Sequence, residues 1–198
     1  MKKYIALVVL VLILDQWSKI YIKTNFMLGE EIRVFDWFRI HFIENNGAAW
    51  GAEIGGVGGK LALTIFRIFA VGGISYWLYK SYREGASQIL LISVSFILAG
   101  AVGNIIDSVF YGLIFDDSVN HVATLFSENP YGKLFQGKVV DMLYFPMYSD
   151  YLPSWMPIVG GKYFTFFNAI FNLADAAISL GVILLVVFNK RVFPKKEA

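Results

Sequence analysis

The sequence predicts a mostly α membrane protein: four transmembrane helices with an outward-facing β segment and a long outer loop. Two observations carry this. Hydrophobic residues make up 57% of the 198-residue chain and charged residues only 16%, where a soluble domain carries about a quarter charged. A globule of this size cannot hide so much apolar surface with so few charges to solvate its exterior. The apolar residues are also gathered into four runs, each near the roughly 20 residues of helix that cross a hydrocarbon core of about 30 Å. The same composition excludes a disordered chain, a collagen-like repeat and an ordinary cytosolic enzyme. A net charge of +2, with no basic face interleaved with aromatics, gives no reason to expect nucleic acid. The absence of cysteine removes disulfides, thiolate metal sites and cysteine nucleophiles together.

The first run spans Tyr4 to about Ile22. Lys2 and Lys3 followed by Ile5 to Leu14 imitate a signal peptide, but Asp15-Gln16-Trp17-Ser18-Lys19 follows instead of a small-residue cleavage site, so a retained span is expected. Beyond it, Ile32, Val34, Phe38, Ile40 and Phe42 alternate with Arg33, Phe35, Trp37, Arg39 and His41. That period predicts one or two strands, with Asp36 marking a turn or bulge. Gly55-Gly56-Val57-Gly58-Gly59-Lys60-Leu61 lacks the Ser/Thr and the glycine spacing of a phosphate loop and reads as a flexible outer turn. The second run covers Leu61 to Tyr79, with Arg67 expected to snorkel toward the outer interface. The third covers Gln88 to Ile106 and the fourth Phe164 to Phe188. Between these last two, Pro130, Pro146, Pro153 and Pro157 accompany Tyr131, Tyr144, Tyr148, Tyr151 and Trp155, an aromatic density that suits a membrane interface. No repeat or linker divides residues 1–198, which are expected to form a single integral membrane domain.

Basic residues set the direction. Lys2, Lys3, Lys80, Arg83, Lys190, Arg191, Lys195 and Lys196 crowd into short segments, whereas the others are spread thinly among acids. Both termini and the Lys80–Ser87 turn are therefore expected in the cytoplasm, with connections 23–60 and 107–162 facing outward.

Ionisable groups inside spans are informative because each costs about 2.5–3.5 kcal/mol at a span centre. Asp15 and Lys19 stand four apart, either a neutralised pair that tolerates insertion or part of a site. In the third span Asn104 and Asp107 share a face and otherwise mark a helix end, and Gly100 and Gly103 allow another backbone to approach. Asn172 and Asp175 share a face within the fourth run. If that run is helical throughout, Asp175 lies about 16 Å below Phe164. With no cation within a turn, it needs a partner on another helix. Asp141, alone, reads as a loop residue. Beside Asp175 it acquires a mechanism: two carboxyls sharing a proton at low dielectric split into a base and an acid. All these groups, with Asn45 and Asn46, fall toward the outer ends of the spans or in the outer loops, which points to one outward-facing site.

In order, Asp15-Gln16-x-Ser18-Lys19, Asn45-Asn46-Gly47-Ala48-Ala49-Trp50, Gly103-Asn104-x-x-Asp107, Val139-Val140-Asp141 and Phe171-Asn172-x-Ala174-Asp175 resemble the five motif regions of bacterial lipoprotein signal peptidase, or signal peptidase II. The resemblance spans almost the whole chain. It implies an aspartyl endopeptidase of the inner membrane that cuts diacylglyceryl-modified prolipoproteins just before the lipidated Cys, without metal or cofactor, and that is sensitive to globomycin. Carried over residue by residue, it implies Asp141 and Asp175 as the catalytic pair. Asp15, Lys19, Asn45, Gly103, Asn104, Asp107, Asn172 and Ala174 become site support or substrate contacts.

Two departures stand out. The family's Arg after the third-motif Asp is Ser108 here, with Lys133 or Lys138 as candidate replacements. An insertion covering about Tyr111 to Gln136 separates the third and fourth motifs, and is expected to act as a lid or substrate-gating loop.

Other protease classes fail on residue types: His41 and His121 lie in outer loops, and neither His-Glu-x-x-His nor Gly-x-Gly-Asp occurs. The alternatives are a proton-coupled small transporter relaying protons through Asp15, Lys19 and Asp175, and a non-catalytic lipid-binding or assembly factor. The nearly unpolar inner halves of the spans favour chemistry at the surface over passage.

Overall fold

The computed structural model describes residues 1–46 and 56–193. Gly47 to Trp50 of the second motif and the basic pair Lys195 and Lys196 lie outside the described residues. Helix α1 runs Lys2–Lys23, α2 Gly56–Arg83 and α3 Gln88–Ile106. The third matches the predicted ends, because Ser87 caps it by accepting a hydrogen bond from the Leu90 N–H at 3.2 Å. The second begins earlier than expected: from Gly56 onward the glycine-rich stretch read as a flexible turn is helical.

Past Ile106 the helix widens into a π turn, Asp107–Tyr111, and closes with α4, Gly112–Ile114. The carbonyls of Ser108 and Val109 are taken by chain outside the helix, accepting from the N–H groups of Gly137 and Phe135, both at 3.0 Å. A Cβ on Gly137 would lie 1.9 Å from the Asp107 carbonyl oxygen, so only glycine lets the returning chain come this close.

Two hairpins and two further strands complete the fold. Strands β1, Glu31–Phe35, and β2, Phe38–Asn45, turn at Asp36 as the alternation predicted. Strand β3 covers Val139–Tyr144, β4 Tyr148–Tyr151, β5 Tyr163–Phe166 and β6 Ile170–Phe171. They form one antiparallel sheet in the order β1-β2-β3-β6 and a separate β4-β5 ribbon.

The last helices, α5 Leu173–Val187 and α6 Asn189–Val192, correct the predicted fourth span. Phe164 to Phe171 is not helical: Phe164 and Phe166 belong to β5, Ile170 and Phe171 to β6, and the helix starts only after Asn172. Asp175 is therefore in the first turn of α5 and not deep within a continuous helix. Among the described residues three helices are long and apolar enough to cross a membrane. At 15 residues, α5 is about 22 Å long.

Helix α3 is the axis of the bundle, packing on α1, α2 and α5. One core, with Tyr4, Leu78, Leu91, Val94 and Leu98, fills the end holding the N-terminus. The other, with Phe26, Phe42, Tyr111, Phe115, Val140 and Met142, joins α1 to the sheet.

Part of the Tyr111–Gln136 insertion, expected to act as a lid or substrate-gating loop, is packed into this second core. Tyr111 and Phe115 are buried, and the Tyr131 and Gly132 N–H groups donate back to the carbonyls of Phe115 and Gly112 at 2.9 Å. Buried Lys23 pairs with Glu44, donates to Ser118 Oγ at 2.7 Å, and faces the rings of Tyr131, Phe115 and Phe42. Lys138 Nζ meets the other Glu44 oxygen at 2.9 Å. Burial alone would raise the Glu44 carboxyl, but the two ammoniums outweigh it and hold it below its ordinary value.

Glycine sets the spacing of α3 and α5. A Cβ on Gly100 would lie 2.1 Å from the Ala174 carbonyl oxygen, and one on Gly181 2.6 Å from that of Ser93, so the backbones touch as in other small-residue membrane crossings. Gly100→Ala should destabilise the protein by about 3 kcal/mol or more, because a carbonyl on a packed helix cannot swing aside. Gly72→Ala, with nothing within 4 Å, should stay within about 1 kcal/mol of wild type. Thermal unfolding in detergent compares the two.

Candidate active site

The polar groups of α1 come first. Asp15 and Lys19 are fully buried, and the Lys19 ammonium lies 3.0 Å from Asp15 Oδ2, 2.8 Å from Asp107 Oδ2 and 2.8 Å from Asn104 Oδ1. Its three donors thus have three acceptors. Asp107 is presented by the π turn, and its Oδ2 also accepts from the Val140 N–H at 3.3 Å. Gly103 makes room: a Cβ there would meet Asp15 Oδ2 at 2.6 Å.

This cluster holds the start of α5. Asp15 Oδ1 accepts the Ala174 N–H at 2.9 Å, and Asn172 Oδ1 accepts the Asp175 N–H at 2.9 Å. Asp175 Oδ2 reaches back to the Asn172 N–H at 3.5 Å, closing a capping box. Two of the unpaired N–H groups at the helix start are therefore satisfied by side chains of the predicted site.

The same Asn172 joins the two aspartates. Antiparallel pairing of Leu143 with Phe171 brings β3 alongside the chain entering α5, and Asn172 Nδ2 donates to Asp141 Oδ1 at 2.7 Å. It also lies 3.2 Å from the Val140 carbonyl oxygen and from Asn104 Oδ1. Asn104 Nδ2 in turn donates to Asp175 Oδ1 at 2.8 Å. Asp141 is buried, at 3% exposure, and Asp175 half-buried. Burial and the neighbouring Asp175 charge push the Asp141 carboxyl up to about 7, against the pull of hydrogen bonds from Asn172 and Asn45 and of the Lys19 charge.

All ten residues singled out in the sequence therefore fall in one connected cluster or in the backbone that shapes it. Three further contributors were not. Gln16 Nε2 donates to Asp107 Oδ1 at 2.9 Å and lies 3.1 Å from Asp15 Oδ2, while its Oε1 accepts from the Tyr111 hydroxyl at 3.2 Å. The π turn brings Tyr111 inward, which no periodicity announces. Arg67 is half-buried and its charge acts on Asp175; its signal was being the lone charge between Lys60 and Lys80. Ser108 donates instead to the Asn104 carbonyl oxygen at 2.8 Å, and Lys138 is committed to Glu44. Among the described residues no group of three His, Asp or Glu side chains is placed to hold a metal ion.

Apolar helices and a capping sheet thus meet at two carboxyl groups joined through Asn172 and Asn104. A family model for signal peptidase (SPase) II matches residues 7–190. The lipoprotein signal peptidase of Porphyromonas gingivalis is 48% identical over 188 residues, covering 94% of this chain and 82% of that protein. That of Amoebophilus asiaticus is 37% identical over 196 residues, covering 96% and 78%. A bacterial membrane enzyme solved by the in meso method at 2.3 Å superposes with a TM-score of 0.61 at 25% identity, over 100% of this chain and 94% of that one. The chain belongs to the signal peptidase II family. It is an aspartic peptidase, and the transporter alternative is not favoured.

Lys19→Met should cost about 3–5 kcal/mol, because it strands two buried carboxylates. Lys23→Met should cost less, since Glu44 keeps Lys138 as a partner. Unfolding midpoints in detergent at one pH rank the two.

Asp141 carries a second expectation. Folding raises its carboxyl, so the folded state binds the proton more tightly than the unfolded chain. The contribution of Asp141 to stability is full below pH about 4 and is lost as pH rises to about 7, where the folded state releases the proton. Asp141→Asn removes this loss and should be more stable than wild type at pH 8, by on the order of a few kcal/mol, with the advantage shrinking toward pH 4.

Proposed function

We propose that this chain removes the signal peptide from prolipoproteins by cutting just before a diacylglyceryl-modified Cys, with Asp141 and Asp175 as the catalytic pair. The observation that carries the assignment is the Asn172 bridge, which fastens Asp141 to the helix end bearing Asp175 and leaves one carboxyl buried and the other half-open. Water attacks the scissile carbonyl without a covalent intermediate. Asp175, the more open of the two, takes the water proton. Asp141, pushed up to about 7, is the acid on the acidic side of that pH: it polarises the carbonyl and protonates the leaving amine. Asn45, hydrogen-bonded to Asp141, lies beside the acid that faces the developing oxyanion. Asp15, Lys19, Gly103, Asn104, Asp107, Asn172 and Ala174 position the pair.

In this reading α5 and α6 together make a fourth span, both termini lie in the cytoplasm, and the site faces outward from the bacterial inner membrane. The positive-inside bias supports that direction. The location suits the substrate, whose acyl chains stay in lipid while its peptide bond reaches the acids. A globomycin-type inhibitor would occupy the same place.

Asp141→Asn and Asp175→Asn should each lower cleavage of a diacylglyceryl prolipoprotein by about a thousandfold while the purified protein stays folded. Retained cleavage in either folded variant would sink the pair. In wild type, kcat/KM should fall on the alkaline side of pH about 7, as Asp141 loses its proton.

A further inference from the structure

The β4-β5 ribbon stands apart from the four-stranded sheet. Its tip is ordered: the Leu152 N–H donates to the Lys162 carbonyl at 2.9 Å, Gly161 N–H to Leu152 at 2.9 Å, and Gly160 N–H to Met156 at 3.0 Å. Yet this ordered tip presents its largest apolar groups to the outside, with Ile158 93%, Trp155 79% and Tyr151 68% exposed. Ile158 sits at φ 71°, a region that a β-branched side chain enters only under strain. The protein thus holds an isoleucine away from itself at a conformational cost. No charged residue occurs between Asp150 and Lys162, so an uncharged Tyr/Trp/Ile tip projects beyond a charged pair.

We propose that this tip is a bilayer-interface anchor, seated in the headgroup and upper acyl region of the membrane. Lipid fits better than a protein partner for two reasons. The chain passes from β5 to the start of α5 within six residues, Phe167 to Asn172, a reach of at most about 20 Å, so the ribbon is tethered beside an apolar helix whose outward side chains, such as Ile183 and Val186, are already uncovered. The composition is also that of interfacial segments, with amphipathic Tyr and Trp rings around an apolar residue and charges kept to the shoulders. Anchored on both sides, by α5 and by this tip, the strand and helix end carrying the two aspartates are held at a fixed depth. The inference rests on membrane embedding and not on the catalytic assignment.

The absence of native cysteine makes the test direct. Trp155→Cys, Ile158→Cys and, as a shoulder reference, Ser149→Cys are made in the full chain. Each carries a nitroxide label in vesicles of phosphatidylethanolamine and phosphatidylglycerol. Accessibility to oxygen, relative to a water-soluble nickel complex, should be severalfold higher at 155 and 158 than at 149. Equal ratios would place the tip in water, and shielding from both reagents would mean that protein covers it; either result overturns the proposal. If a cysteine variant does not fold, brominated lipids provide the same reading. They should quench wild-type fluorescence more than that of Trp155→Phe, and no difference counts against the anchor.

Discussion

A single buried ammonium organises this molecule. Lys19 is surrounded by Asp15, Asp107 and Asn104, and in a lipid-surrounded bundle none of these four groups is tolerable without the others. Desolvation of each charge is costly and is offset only because the donors and acceptors match in number and geometry. The consequences spread outward from that match. Asp15 is oriented so that its second oxygen takes a main-chain N–H of α5, and Asp107 so that it takes one from β3. The pair on α1 is therefore more than a neutralised salt bridge. It is the fixture to which both aspartate-bearing segments are tied.

The second tie is Asn172, which does two things with one amide. Its oxygen starts α5, and its nitrogen holds Asp141. Asp175 occupies the third helical position, where an acidic side chain returns the favour to the cap. Helix capping and aspartate placement are thus the same hydrogen bonds. The close contact of Gly100 with Ala174 sets how near α3 can bring Asn104, whose amide completes the loop between the two acids.

Much of this was legible in the sequence, and the failures have physical reasons. The helix from Gln88 to Ile106 was readable because Ser87 caps a long, unbroken apolar run. The fourth span was misread because Phe164 to Phe171 is as apolar as a helix, and hydropathy does not distinguish a ribbon from a span. The spacing Asn172-x-x-Asp175 is itself a helix-start signal, a cap followed by an acid three residues on, and the same spacing also puts two polar groups on one face of a continuous helix. Arg67 was legible as an oddity and not as a neighbour of Asp175, since that proximity is set by how α2 packs on α3. The insertion was legible as extra chain. That it would be nailed down through Ser118, Lys23 and Glu44 depends on partners 74 and 95 positions away from Ser118.

The hydrogen bond from Ala174 to Asp15 joins residues 159 positions apart, and it bears on how the protein is made. Synthesis delivers α1, β1 to β3 and α3 before α5 emerges, so a growing chain holds Asp141 before it has Asn172 or Asp175. The ties from Asp15 to Ala174 and from Asn172 to Asp141 can form only after α5 has been made, so the two aspartate-bearing segments are joined last.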